Sequence, residues 1–165
     1  MFLVFLTKHV NSMIGTTAPD FSLFDNAKKK VSLSDFKGKN VILLFFPQAF
    51  TSVCTDELCS VRDNMHFYQD LDAQILGISV DSVFTLDKFS NDQQYNFPLL
   101  SDFNKEVSRA YDSLYDTWIF DMKGVSKRSA FVIDKEGVIR YAEVLDNPGL
   151  QPDFNAIKNT LASLQ

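Results

Sequence analysis

Apolar and polar positions change period along the chain, and each change of period predicts an element. Val41-Ile42-Leu43-Leu44-Phe45-Phe46 is a continuous apolar run of strand length closed by Pro47, the pattern of a strand buried on both faces. Gln74 to Val80 repeats that pattern as a second strand. Between them Leu58, Val61, Met65 and Tyr68 recur at spacings of three and four, which predicts a helix. Asp56 and Glu57 are expected in its first turn, where the helix dipole favours negative charge. Asp81 and Ser82 are candidate caps for a further helix through Phe89. Ala130 to Ile133, the turn Asp134-Lys135-Glu136-Gly137 and Val138 to Val144 predict a hairpin. Pro152 is expected to open a closing helix with Phe154, Ile157, Leu161 and Leu164 on one face. Strand, helix, strand, helix, hairpin and helix together predict an α/β fold with a mixed central sheet and helices on both faces.

Bulk properties narrow the class. At 165 residues the chain is long enough for one well-buried core and too short for two comfortable domains. Its 45% hydrophobic and 22% charged residues are those of a globular protein, and sixteen phenylalanines predict a core rich in aromatic rings. A formal net charge of -5 argues against sequence-independent binding to nucleic acid or to an anionic membrane. The basic run Lys28-Lys29-Lys30 is read as a solvated turn. The apolar start Phe2 to Leu6 has no basic residue ahead of it and is shorter than a signal-peptide core, and no stretch approaches the roughly 20 apolar residues of a membrane span. A cytoplasmic location is therefore the expectation.

The chemistry concentrates in Phe45 to Cys59, which holds both cysteines of the chain, behind a proline and a threonine. A close pair in a reducing compartment points to metal or redox chemistry. If the chain turns from the strand into a helix near Thr51 or Ser52, Cys54 falls in the first turn, where free backbone N–H groups and the positive dipole end stabilise a thiolate. At about 100° per residue Cys54 lies in the Leu58, Val61 and Met65 stripe and faces the body of the protein. Cys59 lies about 140° further round, on the side of Arg62, Asp63 and His66. Across an intact helix the two Cα atoms would be roughly 8 Å or more apart, beyond the usual disulfide range of about 4.4 to 6.8 Å. A bridge between them requires the first turns to unwind. The same separation, and the want of a fourth ligand, argue against zinc on Cys54, Cys59 and His66. His9 and His66 show no catalytic or metal spacing, and without Cys-x2-Cys a thioredoxin-type disulfide exchanger is not indicated.

Pro47-x3-Thr51-x2-Cys54 resembles the active-site signature of the peroxiredoxins, thiol peroxidases of the AhpC/TSA family on a thioredoxin-like fold, which also fits the order of elements. Gly15-x2-Ala18-Pro19-x-Phe21 is similar to that family's opening, and Arg128-x2-Phe131-Val132-Ile133-Asp134 to its later arginine strand. The likeness runs from about residue 13 to the C-terminus. Residues 1 to 12 are accordingly read as an N-terminal extension to a domain over 13 to 165, with Met13 a candidate start of translation. Phe50-Thr51 before the cysteine, Glu57-Leu58 after it and the stretch Gly124 to Glu143 are most similar to the alkyl hydroperoxide reductase E group. Cys59, after four intervening residues, resembles instead the resolving cysteine of the Q group, the bacterioferritin-comigratory proteins, although Val53 stands where that group usually has glycine.

The resemblance implies roles. Cys54 would be the nucleophile that attacks a peroxide oxygen and becomes a sulfenic acid. Arg128 would hold its thiolate and donate to the peroxide. Thr51 Oγ would bond the sulfur and the incoming oxygen, the Val53 and Cys54 N–H groups would take up developing charge, and Pro47 would cover the thiolate. Glu57 would orient Arg128 or Arg62. No metal, haem, flavin or other cofactor is implied, and electrons would come from a thioredoxin-like or glutaredoxin-like thiol partner. Several alternatives stay open. Cys59 is either the resolving thiol or a filler on a half-polar helix side, in which case an external thiol resolves Cys54. The chain could also be a non-catalytic peroxide sensor or a chaperone-like binder on the same fold. Trp118, Ile119, Phe120 and Met122 form an apolar cluster suited either to core packing or to contact with a second copy of the chain, and exposure would favour the contact.

Overall fold

The computed structural model of the protein describes residues 10–165. Phe2 to Leu6, His9 and most of the extension read over residues 1 to 12 lie outside the described residues. After helical residues 10–13 comes the hairpin β1 (Ser22–Asp25) and β2 (Lys30–Ser32), whose turn holds the exposed Lys28 and Lys29, with Lys28 at a φ of 65°, while Lys30, read as part of the turn, opens the strand. Then come β3 (Asn40–Phe45), α1 (Ser52–Asp63), α2 (Met65–Asp70) and β4 (Ala73–Ser79). After these follow α3 (Val83–Gln93), β5 (Leu99–Ser101), α4 (Glu106–Ala110) and a second hairpin, β6 (Leu114–Thr117) and β7 (Lys123–Ser126). The predicted hairpin is β8 (Ser129–Ile133) and β9 (Ile139–Val144), and α5 (Phe154–Ser163) closes the chain.

Seven strands form one mixed sheet in the order β2-β1-β5-β4-β3-β8-β9, with β3, β4 and β5 parallel and the other pairings antiparallel. The two parallel crossovers step in the same direction, and right-handed crossovers then place α1 and α3 on one face. The strand side chains agree. Ile42, Leu44 and Phe46 join Leu58, Val61, Leu86, Phe89, Ile157 and Leu161 in one buried cluster. Val41, Leu43 and Phe45 point the other way, to Phe21, Leu33, Val107 and Tyr111. Helices therefore cover both faces, as the run of elements predicts.

Register does the rest of the positioning. Val41 to Phe45 of β3 pair antiparallel with Ile133 to Ser129 of β8, so Arg128 lies level with Phe46, where β3 hands over to the loop before α1. Ala130 and Val132 face the helix cluster, and the two-residue period of a strand puts Arg128 on that same face.

Four sequence expectations need correction. The helix through Leu58 and Tyr68 breaks at Asn64 (φ -110°, ψ 17°) into α1 and α2, the change of axis that lets Met65 and Tyr68 stay buried. Because α1 begins at Ser52, Asp56 and Glu57 lie beyond its first turn, which holds no acidic residue. Pro152 precedes the closing helix instead of opening it. Asp153 is the cap, and its carboxylate accepts the Ala156 N–H at 3.0 Å. Ser82, not Asp81, caps α3, its hydroxyl accepting from the Thr85 N–H.

Candidate active site

The connection from β3 to α1 is built to hold still. Phe46 N–H donates to Ile78 O at 3.0 Å, Pro47 is buried, and Ala49 N–H donates to Asp81 Oδ2 at 2.9 Å. Asp81 is itself fixed by Ser79 Oγ, which donates to the same oxygen at 2.7 Å, and by Ser101 Oγ, which donates to its carbonyl at 2.6 Å. Burial raises the Asp81 carboxyl above its ordinary range, against the hydrogen bonds from Ser79 and Ala49. Phe50 sits at a φ of 66°, a strained value for a large side chain, with its ring 4.8 Å from that of Phe89.

Thr51 occupies the N-cap position in extended backbone but makes no side-chain cap bond. Its hydroxyl donates to Gln48 O at 2.8 Å, not to the sulfur of Cys54, so what remains to it is acceptor lone pairs. The capping role open to Thr51 is thus unused, and the first N–H groups of α1 are left for another acceptor. Cys54 follows in the first turn, 1% exposed and part of the helix-face cluster. Both thiols are free.

Arg128, also 1% exposed, reaches across from the start of β8. Its Nη2 donates to Cys54 Sγ at 3.1 Å, its Nη1 donates to Glu57 Oε2, and Nε and Nη2 both donate to Pro148 O, at 3.2 and 3.0 Å. The planar fork is held by a thiol, a carboxylate and a carbonyl at once, which a lysine could not match. Glu57 therefore pairs with Arg128 and not with Arg62, whose Nε bonds Asp63.

The pair is unequal. Glu57 is fully buried with Oε1 unpartnered, and burial pushes its carboxyl up to about 7 in spite of the charge and hydrogen bond of Arg128. For Arg128 burial opposes the charge too, but Glu57 and Cys54 outweigh it and hold the guanidinium above its ordinary range. A guanidinium has no accessible neutral form, so proton uptake by the pair falls on Glu57.

Cys59 lies elsewhere. It is half-buried, and its Sγ donates to Gln93 Oε1 at 3.5 Å and lies 3.8 Å from the Tyr95 hydroxyl. His66 is exposed. Among the described residues no three His, Cys, Asp or Glu side chains are grouped so as to hold a metal ion. The structure thus gathers Cys54, Glu57 and Arg128 at one end of α1, with Pro47 and Thr51 leading into it and Cys59 facing away. Sequence reasoning missed Pro148, Asp81, Gln93 and Tyr95. Only Asp81 carried a signal, and that signal pointed to capping.

The chain is similar to known proteins. The AhpC/TSA family profile matches residues 14–142. The chain is 38% identical over 154 residues to alkyl hydroperoxide reductase E of Mycobacterium tuberculosis, covering 92% of this chain and 97% of that protein. It is 37% identical over 148 residues to mouse peroxiredoxin-2, covering 84% and 72%. Among solved structures, peroxidoxin BcpB of M. tuberculosis superposes with a TM-score of 0.82 at 28% identity over 93% of this chain and 98% of that one. A PrxQ mutant from Xylella fastidiosa gives 0.80 at 25% identity over 91% and 95%. With family profile, full-length relatives and fold in agreement, the chain belongs to the AhpC/TSA family and is a peroxiredoxin, a thiol peroxidase.

Proposed function

We propose that the protein reduces hydrogen peroxide and small organic hydroperoxides through Cys54. The observation that carries this reading is the Arg128 Nη2 bond to Cys54 Sγ, 3.1 Å long, at the uncapped first turn of α1. The thiolate sulfur attacks one peroxide oxygen along the O–O axis, the O–O bond breaks, and the other oxygen leaves as hydroxide or alkoxide and takes up a proton. Arg128 pairs with the thiolate and turns its donors to the oxygens as charge moves onto them. Thr51 Oγ accepts the peroxide O–H, which fixes the direction of attack. The N–H groups of Val53 and Cys54 meet the negative charge, Pro47 shields the sulfur from water, and Glu57 orients Arg128.

The product is a Cys54 sulfenic acid. Cys59 condenses with it after the first turns of α1 unwind, and a thioredoxin-like or glutaredoxin-like thiol in the cytoplasm reduces the disulfide. The placement of Cys59 on the side of α1 away from Cys54 also supports a second reading, in which an external thiol resolves Cys54. Organic hydroperoxides are included because a 38% identical relative is an alkyl hydroperoxide reductase. Exposure of Ile119 and of Phe120, which is 88% exposed at the tip of the β6–β7 hairpin, supports contact with a second copy of the chain through this tip.

Intact mass after one equivalent of peroxide tests the reading. Wild type should lose two hydrogens, and Cys59→Ser should gain one oxygen. Added oxygen in both would assign resolution to an external thiol, and no change in either would remove Cys54 from the role of nucleophile.

A further inference from the structure

The side of α1 that faces away from Cys54 is fastened to the end of α3. Cys59 Sγ meets Gln93 Oε1 and the Tyr95 hydroxyl, Arg62 Nη1 donates to Gln93 O, and Asn96 Nδ2 donates to Arg62 O at 3.2 Å. The fastening is rigid at its far end. Gln94 closes α3 in the left-handed region (φ 53°, ψ 44°), Tyr95 N–H donates to Ser90 O at 3.1 Å, and the Tyr95 ring lies between Phe89 and Phe97, with centroids at 5.2 and 5.5 Å.

The first turn of α1 is held differently. It has no side-chain cap, Phe50 before it is strained, and Thr55 N–H and Oγ1 both converge on the single carbonyl of Thr51, at 3.0 and 2.8 Å. Arg128 Nη2 also ties it down through the Cys54 sulfur, and that tie is an ion pair only while the sulfur is a thiolate. Conversion to the neutral sulfenic acid removes the ion pair and leaves a hydrogen bond from the guanidinium.

We propose that Gln93 and Tyr95 are positioning residues that hold Cys59 stationary during the disulfide step, so that the unwinding turns carry Cys54 to Cys59 and not the reverse. This rests on the reading that Cys59 resolves Cys54. In that step Gln93 Oε1 gives up its hydrogen bond from the Cys59 S–H, whose proton passes to the departing hydroxide, while the Tyr95 hydroxyl donates to the sulfur as it gains charge. Burial, with the hydrogen bond to Cys59 and its charge, holds that hydroxyl far above its ordinary range, so it remains a donor. The Cys59 sulfur attacks the Cys54 sulfur, the S–S bond forms as the S–O bond breaks, and the hydroxide leaves with the Cys59 proton as water. The two oxidising equivalents are those the hydroperoxide delivered to Cys54.

The test is time-resolved intact mass of the full chain after hydrogen peroxide, comparing wild type with Tyr95→Phe, which keeps the ring, and Gln93→Met, which keeps the bulk. Loss of one hydrogen bond to the sulfur should slow disulfide formation about threefold to tenfold relative to sulfenic acid formation. Excess peroxide should then drive a larger fraction to the sulfinic acid. Loss of fold alone would not change that partition selectively. Hydrogen exchange on unmodified protein gives an independent readout: on going from dithiol to disulfide, residues 52–58 should lose protection while 60–63 keep it. An unchanged partition in both variants, or loss of protection across 60–63, overturns the anchoring while the peroxidase reading stands. Failure of the wild type to form any disulfide overturns the anchoring and the resolving role of Cys59 together.

Discussion

Glu57 should make the stability of this protein fall as the pH rises from acid to neutral. The carboxyl is fully buried behind Arg128 and its pKa stands at about 7, against an ordinary value of 4.5, with burial the largest cause. Since the folded pKa lies above the unfolded one, the folded state binds the extra proton between the two values. The stabilisation from this proton is fully present below pH 4.5 and is lost as the pH rises through 7. A gap of two to three units at about 1.4 kcal/mol each amounts to about 3 kcal/mol, a large share of the roughly 5–15 kcal/mol of a typical domain. Glu57→Gln keeps the shape and does not titrate. Urea unfolding followed by circular dichroism at half-unit steps from pH 4 to 9 should show the difference, wild type minus variant, falling by that amount and levelling above pH 7. In Arg128→Met the fall should continue past pH 7, because the charge and hydrogen bond that restrain the carboxyl are gone. A flat difference would refute the reasoning. A difference that rises with pH would show that the attraction of Arg128 outweighs burial and that the pair is ionic throughout.

Two further substitutions separate the site's parts. Thr51→Val should slow the stopped-flow reaction of Cys54 with hydrogen peroxide by about 10²-fold, a donor-or-acceptor loss at the reacting atoms. It should cost only about 1 kcal/mol of stability, because the side chain caps nothing and loses one bond to Gln48 O. Asp81→Ala should cost about 1–3 kcal/mol in thermal or urea unfolding, because it orphans the Ala49 N–H and the Ser79 hydroxyl. Unchanged stability would mean that water replaces the carboxylate.

What the sequence disclosed, and what it did not, follows the physical origin of each feature. The apolar run at β3, its mate at β4 and the hairpin of β8 and β9 are legible because a sheet buried on both faces needs unbroken apolar segments, and these lie within a residue or two of where they are expected. The short strands β1, β2, β6 and β7 carry too few residues for a period to show, and Lys30 and the exposed Phe24 blur what there is. The first turn of α1, expected near Thr51 or Ser52, begins at Ser52, yet the charge of Asp56 and Glu57 misleads as to their place in it. Glu57 in fact belongs to the next turn and faces inward, and a carboxylate is buried only where a cation meets it. That cation is 71 residues away in sequence and is brought to it by the β3–β8 register. The Pro148 carbonyl that fixes Arg128 is backbone, so no residue type advertises it. Gln93 and Tyr95 likewise meet Cys59 only because α3 ends in a left-handed residue beside α1.

The uncapped start of α1 links these observations. A capping bond from Thr51 would satisfy one of the first free N–H groups of the helix and would be worth about 1 kcal/mol. It would also occupy a donor that, in the proposed reaction, meets charge on the peroxide, and would strengthen the turn that must open for the disulfide to form. By sending the hydroxyl to Gln48 O instead, the sequence leaves the same N–H groups free for chemistry and the same turn weak. The deficit is made good by Arg128, which holds the turn through the sulfur of Cys54. In the proposed cycle the guanidinium–thiolate ion pair gives way to a hydrogen bond to a neutral sulfenic acid, so the hold on this turn would be firmest while peroxide is awaited and weaker once peroxide has reacted.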